Sequence, residues 1–440
     1  MSVVTVDPNQ IVSRNRTSLG SHLMFSTQRN FWRSSTSQAL AQQAAVRIMR
    51  ISDYPPAGIN PCTNWNNTTH HGTYDWADFD ALLTLNKNLG IKTLLPLGFC
   101  GSSGWVQIAN MPVQATGLPS PQDYAGYVYD IVQHVVSMGF DVPYYELVNE
   151  AWFYFYPNWT WNEAKALNFL ALYNAGYDAV KSVASLALCG TDSSLYPRFN
   201  TFWKANNGRL DFLSTHKYDG WGRSYSDAQG LDSAEKKFFA YYDSNHMTVT
   251  EARAIWGDLP VLFTEANFNA VYAPTDPRLQ GPVGQAWCGI VAMNCMRYGI
   301  NYLHYFDWTS KPDTSYTPAS LGFGLIKRDD NAPASVPYET YNILRDIFSH
   351  LSLNDELLAT TVTGNTAAVK AQAWRHNGII YCVIVNRGSD PVSVTYEGQL
   401  INFSTYGTVV VGSEPVSLPF HDNFANLGNW SGISGTWKVK

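Results

Sequence analysis

The chain holds 440 residues, of which 45% are apolar and only 15% charged, so it is globular rather than disordered and long enough for a large domain with a satellite. Its formal charge of −6, with no cluster of Lys or Arg to offset it, argues against a nucleic-acid partner. No apolar run is long enough to span a membrane, and the opening MSVVTVDPNQ lacks the charged and apolar regions of a secretory signal.

In chain order, Val3 to Val6 alternates like an edge strand. A first core strand is predicted over Leu19 to Phe25, then a helix over Ser37 to Ala45. The second strand, Val46 to Ile51, carries Arg50 near its end. Asp78 to Leu89 has helical spacing and stops at Gly90, a plausible C-cap. The third strand is Ile91 to Leu97, and the polar loop after it carries Trp105. An amphipathic helix over Pro121 to Met138 closes at Gly139. The fourth strand follows; its apolar run Tyr144 to Val148 stops at Asn149-Glu150, and the aromatic loop AWFYFYPNWTW leads into a helix over Glu163 to Val183. Leu186 to Cys189 and Phe212 to His216 are the fifth and sixth strands, and Ala234 to Ala254 contains a helix. The seventh strand lies in Pro260 to Asn267 and ends at Glu265. A helix over Val283 to Tyr298 ends at Gly299, Ile300 to Trp308 is the eighth strand, and Pro337 to His350 is a closing helix.

Eight strands alternating with helices imply a parallel sheet, and the count of eight suggests closure into a (β/α)8 TIM barrel over residues 17–350. A doubly wound open sheet is the other arrangement, but no glycine-rich phosphate loop follows an early strand. Beyond His350, Leu358 to Val410 alternates apolar and polar residues between turn signals. That pattern predicts an appended small antiparallel β-sandwich over 351–415, completed by residues 1–16. Residues 416–440 read as a linker and the start of a further β-module.

The chemistry is expected where the strands end. Carboxylates at the C-terminal ends of apolar strands are costly unless a cavity or a partner receives them, and in barrels that end carries the active site. Glu150 and Glu265 hold two such places. Paired carboxylates on separate strands suit acid–base cleavage of a glycosidic bond, and a separation near 5 Å predicts double displacement with retention. The alternative is that each glutamate is a buried partner for an arginine such as Arg50, which is otherwise expected among the substrate contacts, its charge holding a glutamate ionised. His216 and Tyr218, at i and i+2, point the same way from the sixth strand and could orient a carboxylate. Trp308, at the end of the eighth strand, is expected to form a floor under a sugar ring or to pack in the barrel wall. Glu146 lies on the same strand face as Glu150 but deeper, as a buried paired residue. Trp105, Trp152 and Trp221 could line an extended cleft.

The six cysteines show no metal-ligand spacing, although Cys62 and Cys100, both in loops after strands, could pair. No metal or organic cofactor is expected, because carboxylates carry the chemistry. Sequons at Asn15, Asn66, Asn67, Asn158, Asn402 and Asn429 suit an exported protein, so a secreted, extracellular location is expected. Nothing in the sequence sets the oligomeric state.

Asn149-Glu150, His216-x-Tyr218, Glu265 and Trp308 together resemble clan A of the glycoside hydrolases, over residues 17–350. The stretches YELVNE, LPLGF, DFLSTHKY, LPVLFTEAN and GFGLI are most similar to family 39, and the His-x-Tyr pair is equally at home in family 5. The resemblance implies that Glu150 is the acid and base, that Glu265 is the nucleophile and that Asn149 contacts the sugar 2-hydroxyl. The expected function is hydrolysis of β-linked polysaccharide or its oligosaccharides, by an endo-β-1,4-glycanase with glucan first and mannan or xylan next. An exo-acting β-xylosidase and a non-catalytic carbohydrate-binding protein are the alternatives.

Overall fold

The computed structural model describes residues 1–23, 26–52, 60–101, 104–157, 160–220, 224–240, 245–270, 276–309, 324–327 and 336–412. Trp221, Phe25, Gly322 and Phe323 of the GFGLI stretch, and the tail beyond residue 412 lie outside them.

Eight short strands pair in parallel through seven ladders, and the two on either side of the seventh strand each carry a register shift. Barrel strands one to eight are Ser18–Leu23, Ile48–Ile51, Lys92–Pro96, Tyr144–Glu146, Leu188–Gly190, Leu213–Tyr218, Val261–Asn267 and Tyr302–Tyr305. Strands five and six meet where the backbone N–H of Asp211 donates to the carbonyl of Cys189 at 2.9 Å. The chain therefore forms the predicted (β/α)8 barrel. The lower end of its bore is plugged by Ile48, Leu94, Tyr144, Phe212, Leu262 and Tyr302. These come from strands or strand starts around the ring, and burying each side chain is worth about 1.5–3 kcal/mol. The bore is thus a packed core at one end, which leaves the C-terminal end of the strands for polar groups.

The outer helices start and stop on local signals. Ser120 accepts from the N–H of Asp123 ahead of helix Pro121–Ser137, and Asn162 does the same for Lys165 ahead of Glu163–Val183. Gly90, Gly139 and Gly299 follow helix ends with φ of 67°, 63° and 63°, the left-handed conformation that a glycine takes most cheaply. Three elements depart from expectation. Helix Pro197–Ala205 lies between the fifth and sixth strands, where no element is predicted; its amphipathic spacing is short and opens with Tyr-Pro. The single helix expected within Ala234 to Ala254 is two, Asp227–Lys236 and Val249–Trp256, each opened by its own capping box. The loop after Glu150 folds into a turn of helix, Trp152–Phe155.

The second unit is a seven-stranded sheet that takes in the N-terminal strand Ser2–Arg14 and the six strands from Glu356–Thr363 to Gly407–Gly412. It curls over a core of Val4, Leu358, Ala371, Ile384, Val394, Ile401 and Phe403, as a small β-sandwich. It is antiparallel except in one place. Ser2 to Val4 run parallel to Val394 to Tyr396, because the N-terminal strand enters between two hairpins. The sandwich packs on helix Pro282–Tyr298, where Thr408 donates to the carbonyl of Gln285 at 2.8 Å and Arg297 to Gln372 at 2.9 Å.

Two further expectations are corrected. Cys100 is a buried free thiol, so the Cys62–Cys100 bridge is not formed. Asn15 is buried and its amide donates to the carbonyls of Thr17 and Ser352, which closes that sequon to glycosylation.

Candidate active site

The site is assembled on the C-terminal ends of strands one, two, four, five, six and seven. Its lowest layer is Arg50, next to last on strand two and with no exposed surface. The guanidinium donates to Glu146 at 3.0 Å and to Glu265 at 2.9 Å, and also to the side-chain oxygen of Asn149. Its Nη1 lies 3.1 Å from His22 Nε2, which in turn is 2.5 Å from Ser52 Oγ. Each of the three guanidinium nitrogens thus has a directed use, and the fork geometry of the guanidinium explains how one cation serves several acceptors. Arg50 was expected among the substrate contacts; sealed under the site, it holds the side chains that face the cleft and is closed to a sugar.

The fourth strand explains how Asn149 and Glu150 part company. Regular pairing stops at Glu146 instead of running on to Glu150. The next residues are gripped from both sides, Leu147 by the carbonyl of Gly190 and Asn149 by that of Gly98. Glu150 then takes a φ of 51°, uncommon for a residue with a side chain, and its N–H donates to Asp192 Oδ2 at 2.8 Å. Asn149 stays buried on Arg50, and Glu150 turns up into the cleft with 24% of its side chain exposed.

Glu265 stands on strand seven beside its neighbours on strand six. Tyr218 donates to Glu265 Oε2 at 2.7 Å. His216 Nδ1 lies 3.4 Å from Glu265 Oε2 and 3.5 Å from Glu150 Oε1, and its Nε2 is 3.7 Å from Asp192 Oδ2. These are ion-pair contacts with poor hydrogen-bond alignment. The imidazole is therefore wedged among three carboxyl groups. One oxygen of Glu150, one of Glu265 and a nitrogen of His216 lie within 4.8 Å of one another. That is the short carboxylate spacing of double displacement. A cation could use such spacing, but the guanidinium of Arg50 already supplies positive charge to Glu146 and Glu265.

Proton affinities follow from this crowding. Burial raises the pKa of Glu150, with the Glu265 carboxylate adding to it and His216 and Arg50 opposing. Burial alone would lower His216, but Glu265, Glu150 and Asp192 outweigh it and carry its pKa up to about 9. Burial, helped by Glu146 and Glu150 against the pull of His216, pushes Asp192 up to about 7. His22 and His304, buried beside Arg50, are lowered, His304 to about 3.

Arg50, Asn149, Glu150, His216, Tyr218 and Glu265 are thus brought together. Trp308 is not. It is wholly buried behind the barrel wall, donating to Ser37 Oγ at 2.7 Å and meeting Trp32 edge-on at 5.7 Å. Strand eight is regular only to Tyr305, so its alternation does not carry to residue 308. The strand-eight aromatic that faces the site is Phe306, with its ring 4.9 Å from His22 and 6.0 Å from Tyr218. Trp105 and Trp152 are half-buried, with their rings set against other aromatic rings. Trp105 lies on Gly98, where an added Cβ would come within 2.7 Å of the indole. Trp152 stacks on Phe153 at 3.7 Å, with Tyr196 6.5 Å away. Asp192, His22 and Phe306 escaped the sequence reading. Asp192 had a usable signal, since it falls two residues past the end of strand five, at the same end of the barrel as Glu150 and Glu265.

The sequence model of glycosyl hydrolases family 39 matches residues 7–386, whereas curated protein sequences yield no match. Solved structures share the fold at low identity. A glucosidase from Croceicoccus marinus superposes with a TM-score of 0.60 at 15% identity, over 94% of this chain and 96% of its own. A family 39 β-xylosidase from Caulobacter crescentus gives 0.59 at 16%, over 90% and 83%. The catalytic domain of a family 30 xylanase C from Talaromyces cellulolyticus gives 0.56 at 13%, over 93% and 97%.

Proposed function

The chain belongs to glycosyl hydrolases family 39, retaining enzymes of clan A, and from that premise we propose that Glu265 is the nucleophile and Glu150 the acid and base in cleavage of a β-linked polysaccharide. The observation that carries this reading is the approach of the two carboxyl groups, within 4.8 Å across His216 at the ends of strands four and seven. Glu265 attacks the anomeric carbon while Glu150 protonates the leaving oxygen; Glu150 then takes a proton from water as the glycosyl-enzyme bond breaks. The raised pKa of Glu150 suits its first role. Tyr218 and Arg50 each donate to Glu265 and hold it for attack. The side-chain oxygen of Asn149 is engaged by Arg50, which fixes the amide for a sugar 2-hydroxyl.

For the substrate we propose internal cleavage of a β-1,4-glycan, glucan first and mannan or xylan next. Half-buried aromatics continue from Glu150 along one side, through Trp152, Tyr196, Tyr156 and Trp161, with Tyr156 6.3 Å from Tyr196 and 5.1 Å from Trp161. Stacking faces beside a proton donor suit sugars on the leaving-group side. A polymer substrate also favours action outside the cell. The second reading is an exo-acting β-xylosidase, favoured by the Caulobacter crescentus enzyme of the same family. Product analysis on barley β-glucan, mannan and xylan, alongside nitrophenyl β-xyloside, separates them: mixed oligosaccharides support the first, and release of monomer alone overturns it.

A further inference from the structure

We propose that Asp192 is a positioning residue for Glu150, acting on its backbone directly and on its carboxyl through His216. The inference rests on the reading of Glu150 as acid and base. Asp192 follows strand five and is 1% exposed, flanked by the buried Thr191, Ser193 and Ser194. Its Oδ2 accepts the N–H of Glu150 at 2.8 Å. Its Oδ1 lies 3.4 Å from Thr191 Oγ1 and 3.3 Å from Ser193 Oγ, both able to donate. The first contact grips Glu150 where its φ is 51°. A left-handed residue bearing a side chain persists only when its surroundings enforce it, and the Asp192 bond is a directed restraint on that peptide, charge-assisted once the carboxyl ionises above about 7. Without it, the backbone can relax and carry the carboxyl away from the scissile oxygen.

The second contact runs through the imidazole. His216 Nε2 faces Asp192 at 3.7 Å, and Nδ1 faces Glu150 and Glu265 at 3.5 and 3.4 Å. The other groups around His216 are Glu146 from strand four, on the Asp192 side, and Tyr218 from its own strand, with Arg50 and His22 below. A positively charged His216 joins carboxylates that would otherwise repel, and Asp192 is one of three charges that favour its proton. Removing that charge lowers the proton affinity of every titrating neighbour, His216 and Glu150 alike.

Two variants separate the roles. Asp192→Asn keeps an oxygen to accept from Glu150 and loses the charge; Asp192→Ala loses both. Each is measured for kcat and kcat/KM against pH on aryl β-glycosides of one sugar, one with a good leaving group and one with a poor one. In Asp192→Asn the alkaline limb is expected to move toward acid by about one pH unit. In Asp192→Ala, hydrolysis of the poor leaving group is expected to fall about 10²-fold, and that of the good one by less than about tenfold, because only the former needs the proton. Asn should retain more activity than Ala. A limb that stays in place in Asp192→Asn, with both substrates falling by one common factor in Asp192→Ala, would overturn the proposal. Glu150→Ala is run beside them. If it spares the poor leaving group as well as the good, the acid and base reading falls and takes this one with it. If it discriminates and the Asp192 variants do not, only the role of Asp192 falls.

Discussion

Replacing Arg50 tests whether the cleft stands on one buried cation. Arg50→Met removes a guanidinium with no exposed surface that bonds to Glu146 at 3.0 Å and Glu265 at 2.9 Å. Glu146 is equally closed to solvent and would be left as an uncompensated buried charge. Breaking such a pair from one side costs about 3–5 kcal/mol. Glu146→Leu added to Arg50→Met removes the orphaned charge, and apolar replacement of a whole buried pair is close to neutral, so most of the lost stability should return. Activity should not. Glu265 and Asn149 still lack their common donor, and kcat should stay down by about 10²-fold or more. Denaturant midpoints and kcat on an aryl β-glycoside for wild type, single and double variants decide it. An Arg50→Met protein as stable as wild type, or a double variant that regains turnover, would refute the reasoning.

Glu265→Ala should cut turnover by at least about 10³-fold on every substrate, because binding alone does not replace a covalent step; retained turnover would remove Glu265 from the nucleophile's place. Glu150→Ala should regain activity with azide on a substrate carrying an activated leaving group, read as the appearance of a β-glycosyl azide, and an α-azide or none would count against its role. Stability should fall as pH rises. His216 has a folded pKa of about 9, above its usual 6.5, so its contribution is complete below 6.5 and is lost through 9; Asp192, at about 7 against 3.8, has the same sign in the lower window. Denaturant midpoints across pH 4–10 would show a decline that His216→Asn flattens at the alkaline end. Gly289→Val should loosen the sandwich from the barrel, since a Cβ there would meet Thr408 and Val385 at 2.5 and 2.6 Å; limited proteolysis between the two units is the measure.

The barrel was legible because its signals are local and repeated. Apolar runs such as Val261–Asn267 have the length of buried parallel strands, and glycines such as Gly139 end helices where the pattern stops. What failed lacked such a signal. The helix Pro197–Ala205 is too short for its period to stand out. The parallel entry of the N-terminal strand into the sandwich depends on two hairpins far along the chain, and no local signal encodes it. The missing Cys62–Cys100 bridge had only a shared loop class behind it, which says nothing of distance.

At the site, strand position predicted which residues meet but not at what depth. Alternation puts Glu146 and Glu150 on one face, and had the strand continued, both would point into the bore, Glu150 two pleat repeats above Glu146. The structure instead ends the strand at Glu146. The break lets Asn149 take the guanidinium and lets Glu150, left-handed at φ 51°, rise to His216. A regular strand could not deliver an amide downward and a carboxyl into the cleft from adjacent residues while keeping a second carboxyl, Glu146, on the same cation. The irregularity is therefore what gives two glutamates four residues apart different work. The N–H of Glu150 is held by Asp192, just past the end of the next strand, which is why the sequence around Glu150 alone could not reveal it.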